Sequence, residues 1–443
     1  MKAVKGLCVA GLFVAMLGST QGRAEDLVDI FNLAQDNDPT IREARQRFEA
    51  NHTLLDQGKS QLLPSVTVQG TTRRAANNTA RQFSYAQGYN QHGWNMNLNQ
   101  NLLNFEAWYT FQSAKKSDQQ AAANLAIAEQ DLIVRVASAY FDVLRSQDNL
   151  AAFIAEEEAA ARILERSEES FEVGLSTVTD VYQSQSSYDL ARVNRLVEEN
   201  NLAQRIEALE VLTGENHRIL ESLSEGFPIE GAMPASLPAW EEAAIANNLS
   251  VQAAQYQFEA SEEDARAARA RHLPTVSLSA GYNYQAATEI PNQALAFTRD
   301  ATKGTNISLN VTIPLYAGGL NAARKRQAYY NRNAAEEVLL FTRRTVMQDI
   351  RNAYRSVQTD QVTVEARQQA IVSAESALQA TEVGAEVGTQ NVVDVVLALR
   401  TLYQAQRDYA NARYNYVINT LNLKRAAGSL SPQDVMELNQ WLQ

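Results

Sequence analysis

Cysteine is almost missing from this chain. Only Cys8 occurs in 443 residues, inside an N-terminal segment built for export. Lys2 and Lys5 precede an apolar run, Gly6–Leu17, and the small residues Gly22 and Ala24 follow. This pattern marks residues 1–24 as a signal peptide cut after Ala24. The mature chain then holds no disulfide, no thiolate and no cysteine-ligated metal. Cys8 also lies too early in the apolar run to be an acylation site.

Basic charge is scarce too. The signal segment takes 3 of the 39 Lys+Arg and no acid, leaving 36 against 51, a net charge of −15. That argues against nucleic acid and against a polybasic membrane surface. Long apolar runs are missing after residue 24, and a spanning helix needs about 18 or more such residues. If the exported chain enters a membrane, only a closed β-barrel remains, because hydrocarbon offers free backbone groups no partner. Chemistry-bearing residues are few. The four histidines (His52, His92, His217, His272) show no metal-ligand spacing. No Gly-rich phosphate loop and no nucleophile–base pair stands in the sequence. No catalysis, metal or cofactor is expected, and solvated helix faces account for acidic runs such as Glu156–Glu158.

Glycine and proline are absent over two long stretches, Trp94–Val173 and Leu320–Val383. A helix over Glu106–Ser170 would run about 100 Å at 1.5 Å per residue. No single globular core buries such a rod, so it must pack along neighbouring rods. A seven-residue spacing joins Ile350, Val357, Val364, Ile371 and Leu378. The equivalent places 214 residues earlier are Val136, Val143, Leu150, Glu157 and Leu164. That period points to coiled-coil packing.

The equivalence reflects a tandem duplication. Leu63-Pro64-Ser65-Val66 matches Leu273-Pro274-Thr275-Val276, and Phe171–Val181 matches Ala385–Val395 around a shared Glu-Val-Gly and Asp-Val. The expected organisation is a first repeat over 25–225, a Gly/Pro-bearing linker over 226–238, a second repeat over 239–430 and a C-terminal tail over 431–443. Each repeat reads helix, strand, strand, long helix, turn, helix. The first helices span Asp26–Gln61, broken near Asp38-Pro39, and Ala239–His272, broken near Asn247-Asn248. The returning helices span Thr177–Thr213 and Gln390–Ala427, each stopped by a glycine, Gly214 or Gly428.

Four segments alternate with the period of a strand. In Thr275–Ala286, Val276, Leu278, Ala280, Tyr282 and Tyr284 share one face, opposite serine, asparagine and glutamine. Asn306–Leu315 alternates likewise, as do Ser65–Gln69 and Trp94–Leu102, where Trp94, Met96, Leu98 and Leu102 share a face. Aromatics gather near the ends of the apolar face: Trp94, Tyr282 and Tyr284, with Phe105, Trp108 and Tyr316 just beyond. A soluble sandwich with one wet face fits the alternation alone. An outer-membrane barrel fits it together with export and the aromatic girdle. Four strands cannot close, because single-chain barrels start at about 8. Several chains must therefore share one barrel, in a number this pattern leaves open. Loops Ala75–Asn90 and Ala287–Thr305 then fall outside the cell. Pro314, Gly318 and Gly319 mark a strand-to-helix junction.

At Val173-Gly174-Leu175 and Val387-Gly388-Thr389 the chain reverses between long and returning helix. Glycine supplies the positive φ that stops a helix without strain, and Thr177 and Thr179, or Thr389 and Asn391, are candidate caps for the next one. Asp180 and Asp394 stand just inside the returning helices. Two readings remain for them: a first-turn acid favoured by the helix dipole, or an acidic lining at a pore mouth.

PLYAGG (Pro314–Gly319), VGTQNVVDV (Val387–Val395), LPTVSLSA (Leu273–Ala280) and ANARYNYVINTLNLKRAAG (Ala410–Gly428) resemble the TolC-type outer-membrane efflux and secretion channels. The resemblance implies a homotrimer, with four strands per chain forming one 12-stranded β-barrel continued by an α-helical coiled-coil barrel across the periplasm. It implies a Gram-negative outer-membrane location, contact with outer-membrane lipid and a passive duct gated by iris-like coiling at its tips. It also implies docking of a periplasmic adaptor protein on the Val-Gly tips, coupled to an inner-membrane RND, MFS or ABC transporter. Asp394 matches the first aspartate of the family's entrance ring. Three departures stand out: Leu397, Gln390 and Ala385 replace the family's second aspartate, an arginine and a tyrosine. The competing class is a non-conducting trimeric coiled-coil scaffold or adhesin of the cell envelope.

Overall fold

The computed structural model describes residues 24–77, 87–217, 219–232, 234, 236–287 and 301–443. The expected signal peptide, apart from Ala24, and the middles of the two expected outer loops lie outside them. In chain order the elements are α1 (Leu27–Asn37), α2 (Pro39–Ser60), β1 (Ser65–Asn77), β2 (Gln87–Leu103), α3 (Phe105–Glu172), α4 (Val178–Thr213), α5 (Leu237–Asn247), α6 (Leu249–Ala270), β3 (Thr275–Ala287), β4 (Thr302–Thr312), α7 (Leu320–Glu386), α8 (Val392–Ala427) and α9 (Pro432–Asn439). The order helix, strand pair, long helix, returning helix thus occurs twice.

Each repeat breaks its first helix with a buried cap. Asp38 accepts the Thr40 N–H at 2.8 Å and an Arg135 N–H at 2.5 Å. Pro39 follows at the first helical position, where its missing N–H costs nothing. In the second repeat Asn248 accepts from the Ser250 and Val251 N–H groups and donates to the Ala426 carbonyl at 2.9 Å.

The four strands form one antiparallel sheet in the order β1-β2-β3-β4. β1 continues from α2, β2 runs into α3, β3 continues from α6 and β4 leads to α7. The helices pack side by side in that same order, so the chain is four staves, each part strand and part helix. Pro64 and Pro274 stop the helices that enter the sheet, because the residue before a proline avoids the helical region. On the way out, the Asn104 side chain caps α3 by accepting the Ala107 N–H at 3.0 Å. At the other exit Gly318 and Gly319 both hold positive φ, 60° and 82°.

Two expectations about strands need correction. The alternation predicts a strand over Asn306–Leu315, but β4 spans Thr302–Thr312. Pro314 cannot donate to a ladder, so the strand ends before it, and Ile313 and Leu315 lie beyond. Alternation predicts that Leu102 shares a face with Leu98, but the β2–β3 register shifts between Asn101 and Leu103. Leu102 is the extra residue of this bulge, and Leu103 sits opposite Val276. The strands also reach further into the expected outer loops, to Asn77 and from Gln87.

Away from the sheet, α4 packs on α3, and α8 packs between α3 and α7. The full-length staves α3 and α7, with 68 and 67 residues, run about 100 Å each. A belt clamps them near mid-length. It contains α1, α9 and the segments around two isolated bridges, Glu25 with Leu220 and Leu223 with Leu442. Tyr140 is fully buried there and donates to the Glu221 carbonyl at 2.7 Å. Tyr414 donates to Asp148 at 2.6 Å. Burial pushes the Asp148 carboxyl above the usual carboxylate range and the Tyr414 hydroxyl well above the usual phenol range. Residues 431–443 complete the belt: Ser222 and Gln443 exchange backbone hydrogen bonds at 2.9 Å.

Packing thins from the belt towards the far end. Ile350, Val357 and Val364 of the seam lie in the main core, whereas Ile371 and Leu378 reach only a small cluster around Ala374, Leu402 and Ala405. In the first repeat Val136 and Val143 are buried. Glu157, the one polar seam residue, pairs with Arg195 of α4. The layer stays open at both sides. Its strand edges are β1 and β4, and its helical flanks are α2 with α4 on one side and α7 on the other. Leu190, Val193 and Val197 on α4 and Phe341, Val362 and Val372 on α7 are exposed.

Candidate functional site

The two helical reversals lie at the end of the rods farthest from the sheet. Their geometry is the same. The Gly174 N–H donates to Phe171 O at 3.0 Å and the Leu175 N–H to Ser170 O at 2.8 Å. In the second copy the Gly388 N–H donates to Ala385 O at 3.2 Å and the Thr389 N–H to Gly384 O at 2.8 Å. These are the paired bonds of a Schellman stop, whose glycine takes the left-handed region. Both glycines have φ 78°. A Cβ at either would meet nothing within 4 Å, so fold geometry accounts for the glycine but not for the empty space around it. Val173, Leu175 and Val387 are exposed, Leu175 at 84%.

The next helices start on reciprocal capping boxes. Thr177 and Asn391 are the caps, Thr179 and Thr389 are not, and Asp180 and Asp394 are the N3 acids. The Asp180 carboxylate accepts from the Thr177 hydroxyl at 2.7 Å, the Thr177 N–H at 3.0 Å and the Ser176 hydroxyl at 3.0 Å. The Thr177 bonds hold its carboxyl below the usual carboxylate range. That support is present above the ordinary carboxylate pKa and is lost as pH falls through the lowered one. Asp394 accepts from the Asn391 N–H at 3.1 Å and donates its own N–H to Asn391 Oδ1 at 2.9 Å. Each aspartate thus serves the helix start, which satisfies the first-turn reading. It also stands at the tip, as the second reading requires.

Leu397, Gln390 and Ala385 leave the tip without the three side chains noted above. Other groups tie the second hairpin (α7, α8) to the first (α3, α4). Arg407 donates to Glu156 at 2.8 Å and lies over the Phe153 ring, 4.1 Å from its centroid. Arg400 donates to the Ser187 hydroxyl at 3.3 Å. Its place in the acidic run Glu156–Glu158 predicts a solvated face for Glu156. No local signal marks it otherwise, because its partner is 251 residues away.

The sheet has two chemically distinct faces. One row across it reads Gly70, Trp94, Tyr284, Lys303, and the next reads Val68, Met96, Tyr282, Thr305. The Trp94 and Tyr282 rings stand 5.1 Å apart. Further along the same face come Val66, Leu98, Ala280 and Ile307, then Gln100, Leu278 and Leu309, then Leu103, Val276 and Val311. The one amide among them, Gln100, donates to the Leu62 carbonyl at 2.9 Å. From Tyr284 to Val276 is about 27 Å along a strand, or about 20 Å of height at a tilt near 40°. Phe105, Trp108 and Tyr316 lie just below and are exposed. The face is therefore an apolar band between two aromatic levels.

The opposite face carries amides and hydroxyls. Rows read Thr67, Asn97, Gly281, Asn306 and Ser65, Asn99, Ser279, Ser308. The Ser279 and Ser308 hydroxyls are bonded at 2.7 Å. A Cβ at Gly281 would stand 2.5 Å from Asn306 Oδ1, so this glycine lets the neighbouring amide lie flat along the wall. Among the described residues, no helix is long and apolar enough to cross a membrane, and no cluster of metal-ligating side chains occurs.

Comparison with known proteins follows the same division into two repeats. Residues 30–215 and 240–429 each match the family model described as "Outer membrane efflux protein". The chain is similar to outer membrane protein TolC of Vibrio cholerae, 35% identical over 97% of this chain and 98% of that protein. It is also similar to the proteases secretion protein PrtF of Dickeya chrysanthemi, 26% identical over 97% of this chain and 94% of that one. The crystal structure of the Campylobacter jejuni CmeC outer membrane channel superposes with a TM-score of 0.78 at 18% identity, covering 95% of this chain and 90% of that one.

Proposed function

Because the chain belongs to the outer membrane efflux protein family, we propose that it is the outer-membrane exit duct of an efflux or type I secretion system. The observation that carries this is the two-faced sheet continued by open-sided rods. The apolar band meets lipid, the amide face meets water, and the rods prolong the duct across the periplasm. The relatives are named for efflux and for protease secretion, which supports partners of those kinds for this chain. A homotrimer suits the chain. Both edges of its sheet and both flanks of its helical layer are open, and the exposed apolar residues of α4 and α7 are what a neighbouring copy would cover. Three copies give twelve strands. At about 4.8 Å spacing and a tilt near 40° these close on a radius of about 12 Å. A non-conducting scaffold would have no use for a wall of flat-lying amides. The relatives are channel and secretion proteins, and no reaction is assigned to this chain.

Within this reading Trp94, Tyr282 and Tyr284 form the upper aromatic girdle and Phe105, Trp108 and Tyr316 the lower one. Pro314, Gly318 and Gly319 turn the barrel wall into the helical wall. Asp394, with Asp180, lines the periplasmic entrance. The purified protein conducts ions in a planar bilayer, and Asp394→Asn, which keeps the capping bonds, lowers its cation preference. A protein that never conducts overturns the duct, and unchanged selectivity removes Asp394 from the entrance.

The exposed tips, Val173-Gly174-Leu175 and Val387-Gly388-Thr389, are the docking surface for a periplasmic adaptor. The adaptor couples the duct to an inner-membrane RND, MFS or ABC transporter. Gly388→Arg blocks docking while the trimer still assembles: the new side chain enters open space, and the strain of a non-glycine residue at φ 78° costs only about 1 kcal/mol. Gly388→Asn, which tolerates the left-handed conformation, retains more efflux. Full efflux with Gly388→Arg, measured as drug tolerance of a complemented deletion strain, rejects the assignment.

A further inference from the structure

The amide face of the sheet is uncharged along almost its whole height. Among its described residues the one charged side chain is Arg73, on β1, paired in register with Gln91. Its place follows from strand parity. Gly70 shares a row with Trp94 and Tyr284 on the apolar face, so Arg73, three residues on, falls on the amide face. Arg74 falls on the other face, beyond Trp94. No register shift interrupts β1 and β2 from Ser65 to Asn77. Arg73 therefore stands near the outer end of the duct wall, the end opposite the tips.

We propose that Arg73 of the three protomers forms a cationic collar inside the outer mouth of the barrel, a site that binds anionic groups (carboxylates, sulfates, phosphates) as they leave. This rests on the trimeric duct proposed above. On a wall of about 12 Å radius an extended arginine brings its guanidinium to about 6 Å from the axis, inside the Debye length of about 8 Å in physiological salt. The three fields then overlap across the opening. Neighbouring wall groups are neutral amides and hydroxyls such as Gln69, Thr71, Gln91, Asn95 and Gln285, so nothing on the described wall offsets the charge. Arginine also suits the task chemically, because its planar fork holds oxyanions through two parallel hydrogen bonds. The duct then has ends of opposite sign: carboxylates at the periplasmic tip and guanidiniums at the exit.

The test is block from the outer side in a planar bilayer, which reads the exit whatever the state of the tip. A sulfated β-cyclodextrin added there blocks the native channel. Arg73→Gln weakens the block roughly tenfold, the scale of losing a few charge contacts in partly screened water, and Arg73→Glu abolishes it. Undiminished block in Arg73→Glu overturns the collar. A second set of variants checks the parent reading separately. Because the mature chain has no native cysteine, Asn95→Cys and Ile307→Cys report cleanly on the two faces. A charged, membrane-impermeant thiol reagent modifies Asn95→Cys and changes its conductance, and leaves Ile307→Cys untouched. The reverse pattern, or no conductance in any variant, overturns the duct and the collar with it. Arg73→Cys then regains outer-side block after reaction with a cationic reagent and does not after an anionic one. Equal block after both reagents also overturns the collar.

Discussion

Gly428→Ala lowers the stability of the folded protein far more than Gly214→Ala, although the two glycines hold equivalent places in the two repeats. Both end a returning helix with positive φ, 75° and 78°. Alanine in that region costs about 1 kcal/mol at either site. The surroundings then separate them. A Cβ at Gly214 would meet only the Asn37 Cβ, at 4.0 Å. A Cβ at Gly428 would press on the Asn247 carbonyl oxygen, stand 2.5 Å from the Asn247 carbonyl carbon and 2.8 Å from the Asn248 nitrogen. These are backbone atoms at the α5–α6 break, where Asn248 caps α6 and bonds Ala426. They cannot yield without losing that cap, so overpacking adds about 1–3 kcal/mol. Urea unfolding followed by helical circular dichroism should give a clear drop in midpoint for Gly428→Ala and a small one for Gly214→Ala. Equal midpoints would show that the close approach of α8 to this break has been misread.

Glu156→Ala should be the most damaging single change between the two hairpins. The Glu156 side chain is 6% exposed and Arg407 17%. Truncating the acid strands a guanidinium against Phe153 and the α3–α8 seam. Breaking one partner of a buried pair costs about 3–5 kcal/mol. Replacing both by apolar residues, Glu156→Leu with Arg407→Met, removes the stranded charge and restores most of the loss. The pair lies 16 residues before the end of α3, about 24 Å along the helix from the tip. Packing there is already sparse, so a loosened seam also frees the second hairpin to swing. The expected result is lower stability and a higher closed-state conductance for Glu156→Ala, both reversed in the double variant. A single variant as stable and as closed as the native protein would mean that this pair carries no share of holding the hairpins together.

Much of the architecture was written locally. Helix breaks at Asp38-Pro39 and Asn247-Asn248, the glycine stops and the two-faced strands all rest on patterns a few residues long, and the duplication shows as the same short patterns met again about 210 residues on. Period, capping chemistry and positive φ act over one or two turns of chain, so they are readable without the fold. Phase errors crept in where a local pattern met a non-local pairing. Leu102 alternates correctly along β2, yet its face depends on register with β3, more than 170 residues away. Ile313 and Leu315 continue the alternation of β4, yet no ladder continues past Pro314.

The order of residues was enough to specify a duplicated, exported chain of strand pairs and long rods, too narrow an arc to close alone. It did so because hydrophobic period and turn chemistry are local. Folding in three dimensions settled that strands and helices share one lateral order, and that residues 219–230 and 431–443 close a belt. It alone set Glu156 against Arg407 and Gly428 against the Asn247 backbone. Those outcomes depend on contacts between segments hundreds of residues apart, which no short window of sequence encodes.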